Sequence, residues 1–254
     1  MTDALNPRTV AWARTMAGHA DGDVVRAHRD SSARLDLPAP VGREAREETQ
    51  RRLWRPEATF ASGAGHRAIE EEPDIERTCF ERDRDRIVHS TAFRRLAGKT
   101  QVVVYPTDHQ RTRLTHAIEV AQVATSLARG IGVNVTLADA MALGHDCGHG
   151  PGGHASEDAF DAFIPGGYDH GPWGADVVLT PLNLCVETLD GIRNHSWSRP
   201  APMTIEGELV SWADRIAYCA HDLEDAVHAG IVSLDDLPAE VAEVAGRTRR
   251  EQLA

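Results

Sequence analysis

The stretch from Glu206 to Ala229 constrains the fold more than any other part of the chain. Leu209, Val210, Ala213, Ile216, Ala217, Ala220, Leu223 and Val227 recur at the spacing of an α-helix. Asp214, Tyr218, His221, Asp222 and Asp225 follow at i, i+4, i+7, i+8 and i+11, and so share a second, polar face. A helix with so many apolar positions is buried, and a polar stripe on a buried helix needs partners. The chain must therefore pack other elements around this helix and bring polar groups to it.

Further helices are readable elsewhere. Thr112 to Arg129 carries Leu114, Ile118, Ala121, Ala124 and Leu127 at helical spacing, with Gly130 expected to close it. Thr136 to His145 is a second helix, with Thr136 and Asp139 resembling a capping box. Residues 80–97 read as a charged amphipathic helix ending at Gly98, and 156–163 and 182–192 as helices. Val102-Val103-Val104-Tyr105 suggests a short strand or extended segment, and 194–202 a loop. Aromatic residues are only 5% of a chain that is 41% hydrophobic, so the core is mostly Ala, Val, Leu and Ile, which suits closely packed helices. Without βαβ alternation or repeats, the expected class is all-α.

Residues 1–75 are rich in Arg, Asp, Glu, Ala, Gly and Pro and weakly periodic. They read as a less ordered N-terminal arm that is partly disordered or contacts another subunit, with Trp54 as its anchor in the second case. Pro38-Ala39-Pro40 and Ala61-Ser62-Gly63-Ala64-Gly65 read as linkers, and residues 76–254 as the main domain. After Arg113 there are 7 basic and 21 acidic residues, which argues against a broad nucleic-acid surface. The four cysteines are dispersed, Met1 to Val10 has no apolar signal core, and no apolar run spans a bilayer. A cytoplasmic protein without membrane attachment is expected.

The chemistry concentrates in the middle. Seven of the 13 histidines lie between His109 and His195. His116, the pair His145-Asp146 and Asp214 are metal-ligand side chains scattered along the sequence, and two imidazoles with two carboxylates suit a divalent cation that keeps open positions. Glu157 lies three residues after His154, close enough to orient its ring and raise its basicity. Arg113 stands three residues before His116 and Arg215 beside Asp214. Cys147 reads as a small buried hydrophobe.

Four stretches in order resemble the HD-domain deoxynucleoside-triphosphate triphosphohydrolases, the dGTPase family. They are Phe93 to Val102, Arg111 to His116, Gly144 to Glu157, and Ala213 to Tyr218, the last continuing through His221 to Ala226. The resemblance covers residues 77–230 and implies a helical HD-domain bundle. It implies one divalent metal (Mn, Mg, Fe, Co or Ni) held by His116, His145, Asp146 and Asp214. It assigns catalytic roles to His154, Glu157, His149 and His170. Substrate contacts would come from Arg113, Arg215, Tyr218, Asp222 and Gln101, the last three toward the deoxyribose.

The activity implied is hydrolysis of a dNTP, dGTP-like, to deoxynucleoside and inorganic triphosphate in a homo-oligomer. Nucleic acid would enter only as a regulator or alternative substrate. The rival readings are another HD phosphohydrolase (nucleotide phosphatase, phosphodiesterase or nuclease) and a non-catalytic dNTP-binding protein. His195, which matches a recurrent family histidine, is read as structural. Family members often carry Pro-Pro-Phe where this chain has Gly150-Pro151-Gly152-Gly153, Asn or Glu where it has Gly171, and more chain after the position of Ala254. A more flexible loop and a short form at the C-terminus are the corresponding expectations.

Overall fold

The computed structural model describes residues 6–22, 24–32 and 40–253, so Met1 to Leu5 and the Pro38-Ala39 part of the first expected linker lie outside it. The chain divides into a compact unit up to Pro40 and another from Val41 onward. In the first, Pro7–Met16 form α1, started by the Asn6 side chain, which accepts from the Arg8 amide at 2.9 Å. His19–Asp21 (β1) and Val24–Arg26 (β2) pair antiparallel, with Ala20 opposite Val25.

The second unit begins with α2, Arg43–Leu53. Residues 41–75, expected in the arm, belong to this unit. Trp54 packs on Phe60, ring centroids 6.1 Å apart, and both lie against the unit's own core. Ala61, expected in a linker, is buried, and the Gly65 amide donates to Glu187 at 3.1 Å. Arg67 pairs with Asp83 at 2.6 Å, both almost fully buried.

Next come α3 (Cys79–His89), α4 (Thr91–Arg95) and a tight turn Leu96–Gly98. The expected single helix is broken at Ser90, whose backbone is extended (ψ 155°) and whose hydroxyl accepts from the Phe93 amide at 3.1 Å. A serine competing for backbone donors in this way ends one helix and caps the next. Residues 101–105 form bends rather than a strand, with only an isolated bridge from Thr100 to Thr112.

Helices α5 (Arg113–Ile131) and α6 (Val135–Gly144) carry the core. The face of α5 that is buried runs through Ala117, Val120, Ala121, Ala124 and Ala128, which leaves Ile118 half exposed. The helix passes through Gly130 and stops at Gly132, where φ is +82° and a side chain would be strained. The α6 cap is Asn134, accepting from the Leu137 amide at 3.1 Å, and not the Thr136/Asp139 box. Asp139 pairs instead with Arg84 at 2.6 Å.

The chain continues through α7 (His154–Asp161), α8 (His170–Trp173) with a π-helical turn Gly174–Val178, and α9 (Val186–Asn194). The long helix is α10 (Ile205–Ala217), a π-helical turn Tyr218–Asp222, and α11 (Leu223–His228), helical without interruption. Ala239–Ala245 (α12) and Arg249–Gln252 (α13) complete the unit. Helices α5, α6 and α10 pack on one another, and α3 and α9 cover α6. Phe80, Ile87, Leu96, Val120, Leu137, Met141, Ile192 and Val210 are fully enclosed between them. Each such side chain contributes about 1.5–3 kcal/mol on burial. The second unit is all-α, and among the described residues no helix is long and apolar enough to cross a membrane.

Candidate active site

Helix ends and one helix face build the site. Arg113 opens α5, its amide donating to the Lys99 carbonyl at 3.2 Å, and His116 follows one turn on. His145 caps the C-terminus of α6, Asp146 sits in the turn after it, and His149 follows that turn. His154 and His170 are the first residues of α7 and α8, and His195 caps α9. Asp214 projects from α10. Six helices therefore aim polar groups at one place, which explains how residues a hundred positions apart meet.

Of the four residues expected as metal ligands, His116, His145 and Asp214 bring their donor atoms together, and Asp146 approaches them at His145. Asp214 Oδ1 lies 3.1 Å from His116 Nε2 and 3.6 Å from His145 Nε2, and Asp146 Oδ1 lies 3.5 Å from His145 Nε2. Ligands bonded at about 2.1 Å to one cation stand roughly 3–3.5 Å apart, so the spacing of His116, His145 and Asp214 fits a shared ion, with Asp146 meeting that group at His145. His145 Nδ1 donates to the Ala142 carbonyl at 2.6 Å, which fixes the tautomer and leaves Nε2 buried without a hydrogen-bond partner. An orphaned ring nitrogen pointing into a carboxylate pair is what a divalent cation would satisfy.

The electrostatics agree. Burial would raise the carboxyl of Asp146, but Arg113, bonded at 2.8 Å, and the neighbouring imidazoles hold it well below the usual range. Asp214 is likewise lowered against burial by His116, His145 and His195. Burial disfavours the charged imidazole of His116, yet the bond to Asp214 and the Asp146 charge outweigh it and raise its pKa. Both carboxylates are thus held ionised, as ligands must be.

A second constellation adjoins the first. Glu157 accepts from His154 Nδ1 at 3.0 Å and from His170 Nδ1 at 2.5 Å, and takes the His170 amide at 3.0 Å. Burial opposes the charge on Glu157, but these bonds hold its carboxyl below the usual range, and the bond from Glu157 raises His154. His149 stacks on His170, centroids 3.7 Å apart, and its Nε2 lies 3.1 Å from Asp146. Burial pushes His149 down to about 3, so it stays neutral. Gly153 precedes α7 with φ +61°, and a Cβ there would lie 3.2 Å from Arg113 Cζ. The loop expected to be flexible is packed against the arginine that holds Asp146.

Both constellations open into one cavity of about 290 Å³. Its walls include Gln101, Arg113, His154, Asp214, Arg215 and Tyr218. Gln101 reaches Asp222 at 3.1 Å, and Tyr218 is half exposed. Burial raises the Asp222 carboxyl. Of the polar stripe, Asp214, Tyr218 and Asp222 serve this region, whereas Asp225 leaves it to bind Arg111 at 2.7 Å.

Two residues were not legible as site residues. His195, read as structural, is buried beside His145, its Nε2 3.0 Å from His170 Nε2, and burial pushes it down to about 3. Trp197 lines the cavity from the same loop.

The HD domain family signature matches residues 113–219, the span from Arg113 to the start of the π-helical turn. The chain is 44% identical over 211 residues to a deoxyguanosinetriphosphate triphosphohydrolase-like protein of Caldanaerobacter subterraneus subsp. tengcongensis, covering 80% of this chain and 62% of that protein. It is 44% identical over 206 residues to a protein of the same description from Clostridium perfringens (77% and 60%). A relative from Desulfatibacillum aliphaticivorans with that description is 41% identical over 225 residues (82% and 64%). The chain thus spans 60–64% of the length of these relatives. With the histidine and aspartate groups lying within the matched span, residues 113–219 carry an HD domain, and the chain is similar over four fifths of its length to the deoxyguanosinetriphosphate triphosphohydrolase-like proteins.

Proposed function

We propose that the protein hydrolyses a deoxynucleoside triphosphate, dGTP-like, to the deoxynucleoside and inorganic triphosphate, with a divalent metal at His116, His145, Asp146 and Asp214. The observation that carries this reading is the opening of a cation-type donor set and a Glu157-braced histidine cluster into one cavity. A cation bound there supplies Lewis acidity and neutralises phosphate charge. The remaining work falls to the chain's own groups. Glu157 engages Nδ1 of His154, which directs that ring's Nε2 away from Glu157 as the group that moves a proton to or from the reacting oxygen. His170, braced by Glu157 on one nitrogen and His195 on the other, and neutral His149 hold the wall behind it. Arg113 and Arg215 offset phosphate charge. Tyr218, Asp222 and Gln101 form the deoxyribose side, where a phenol ring leaves no space for a 2′-hydroxyl.

The test is product analysis. The full chain, loaded with Mn or Mg, is incubated with each dNTP and the products are separated by ion-exchange chromatography. Deoxynucleoside and tripolyphosphate in equal amounts are expected. Release of orthophosphate, pyrophosphate or nucleoside monophosphate would reassign the reaction to another phosphohydrolase class. Thermal stabilisation by dNTP without any product would make the chain a binding protein.

A further inference from the structure

Most arginines around the core are neutralised by carboxylates: Arg67 by Asp83, Arg111 by Asp225, Arg113 by Asp146, Arg193 by Asp176. Arg215 is held differently. It is exposed on the cavity wall, and among the described residues its close partner is an aromatic ring, the Trp197 indole, whose centroid lies 4.4 Å from Cζ. The indole is itself clamped from α10. Its Nε1 donates to the Ser211 carbonyl at 3.2 Å, and Trp212 meets it edge-on at 4.8 Å. Ser211, Trp212 and Arg215 lie within one helical turn, so the loop after α9 lays Trp197 back along the helix that carries Asp214.

The choice of an indole has a chemical consequence. A carboxylate fixes a guanidinium by cancelling its charge, whereas a ring face fixes it through the quadrupole and leaves the positive charge and the N–H donors available. The same cavity contains Asp146 and Asp214, and the chain carries a net charge of −12. A cation kept un-neutralised on that wall favours an incoming polyanion.

We propose that Trp197 is a positioning residue that presents Arg215, with its charge intact, to the triphosphate of a bound nucleotide. The proposal rests on the nucleotide reading above. The probe is inorganic tripolyphosphate, titrated calorimetrically into the Mn-loaded full chain and into Trp197→Leu, Trp197→Phe, Arg215→Ala and the Trp197→Leu/Arg215→Ala double variant. The leucine variant is expected to bind roughly two- to fivefold more weakly, the range of a partly exposed cation–π contact. Phenylalanine keeps a ring face but loses the bond to Ser211, and should stay within about twofold of the parent. In the Arg215→Ala background, Trp197→Leu should add nothing, because the two residues act as one unit. In turnover, Trp197→Leu should raise KM for dNTP and leave kcat nearly unchanged.

Unchanged tripolyphosphate affinity in Trp197→Leu, or losses that multiply independently in the double variant, would overturn the proposal. Tripolyphosphate binding needs no turnover. The expected affinity pattern in a chain that hydrolyses no dNTP would uphold the Trp197 role while refuting the hydrolase reading.

Discussion

Glu206 offers a sharp test of how this fold holds its site helices together. Its carboxylate is fully buried near the start of α10 and faces three donors. Oε1 accepts from the Thr59 amide at 3.0 Å and the Asn134 amide at 2.9 Å, and Oε2 accepts from the Thr59 hydroxyl at 2.8 Å. One side chain therefore ties the segment after α2, the cap of α6 and the start of α10. In Glu206→Ala the hydroxyl can turn elsewhere, but two backbone amides lose their acceptor. At about 1–3 kcal/mol for each unsatisfied buried group, plus a small cavity term, the loss is roughly 3–6 kcal/mol. For a chain of this size that lowers the thermal midpoint by on the order of 10–20 °C. Glu206→Gln should behave otherwise. Its carbonyl oxygen can replace Oε1 for both amides, and its NH₂ then meets a hydroxyl that can rotate to accept, so a loss near 1 kcal/mol is expected. Circular-dichroism melts and urea titrations of the three proteins provide the measurement. A glutamine variant as damaged as the alanine variant, or an alanine variant within about 1 kcal/mol of the parent, would refute the donor accounting.

The other expectations concern the metal and acid stability. Asp214→Ala should purify with little bound metal by elemental analysis, whereas His154→Ala should keep a near-parental content yet lose hydrolysis. Equal metal in both would remove Asp214 from the ligand set. Hydrogen bonds from Arg86 and Asn183 bring the Glu71 carboxyl down to about 2. A carboxyl lowered by folding adds stability above its ordinary pKa and loses it as the pH falls toward the lowered one. The urea-midpoint gap between the parent and Glu71→Gln should therefore be full at pH 6 and shrink between about pH 4.5 and 2. A gap that stays constant over that window would show that Glu71 acts through packing and not through its charge.

The helices that proved easiest to read were those whose burial is written locally. The apolar spacing of residues 113–131, 135–144 and 205–228 needs no distant partner to be recognised, and the donor residues of the site stand out by chemical type. Three kinds of feature stayed out of reach. Competing caps were ambiguous: Asn134 outcompetes Thr136, and Gly132 outcompetes Gly130, because the geometry of the turn decides and not the residue type alone. Residues 41–75 carry almost no periodicity, since long-range bonds order them, such as Arg67 with Asp83 and Thr59 with Glu206. His195 and Trp197 acquire their surroundings only when α8, α9 and α10 come together, so nothing in their own neighbourhood of sequence announced them.

The π-helical turn at Tyr218–Asp222 divides the long rod into two sections with separate rotational settings. A wider turn admits one extra residue, so everything beyond it is rotated by about 100° from where an unbroken α-helix would put it. Asp214, upstream, aims at His116, while Asp222 and Asp225, downstream, aim at Gln101 and Arg111. Removing one position from the turn would leave Asp214 in register and swing Asp225 off Arg111. The direction of the side chains beyond the turn is thus set separately from that of Asp214 before it.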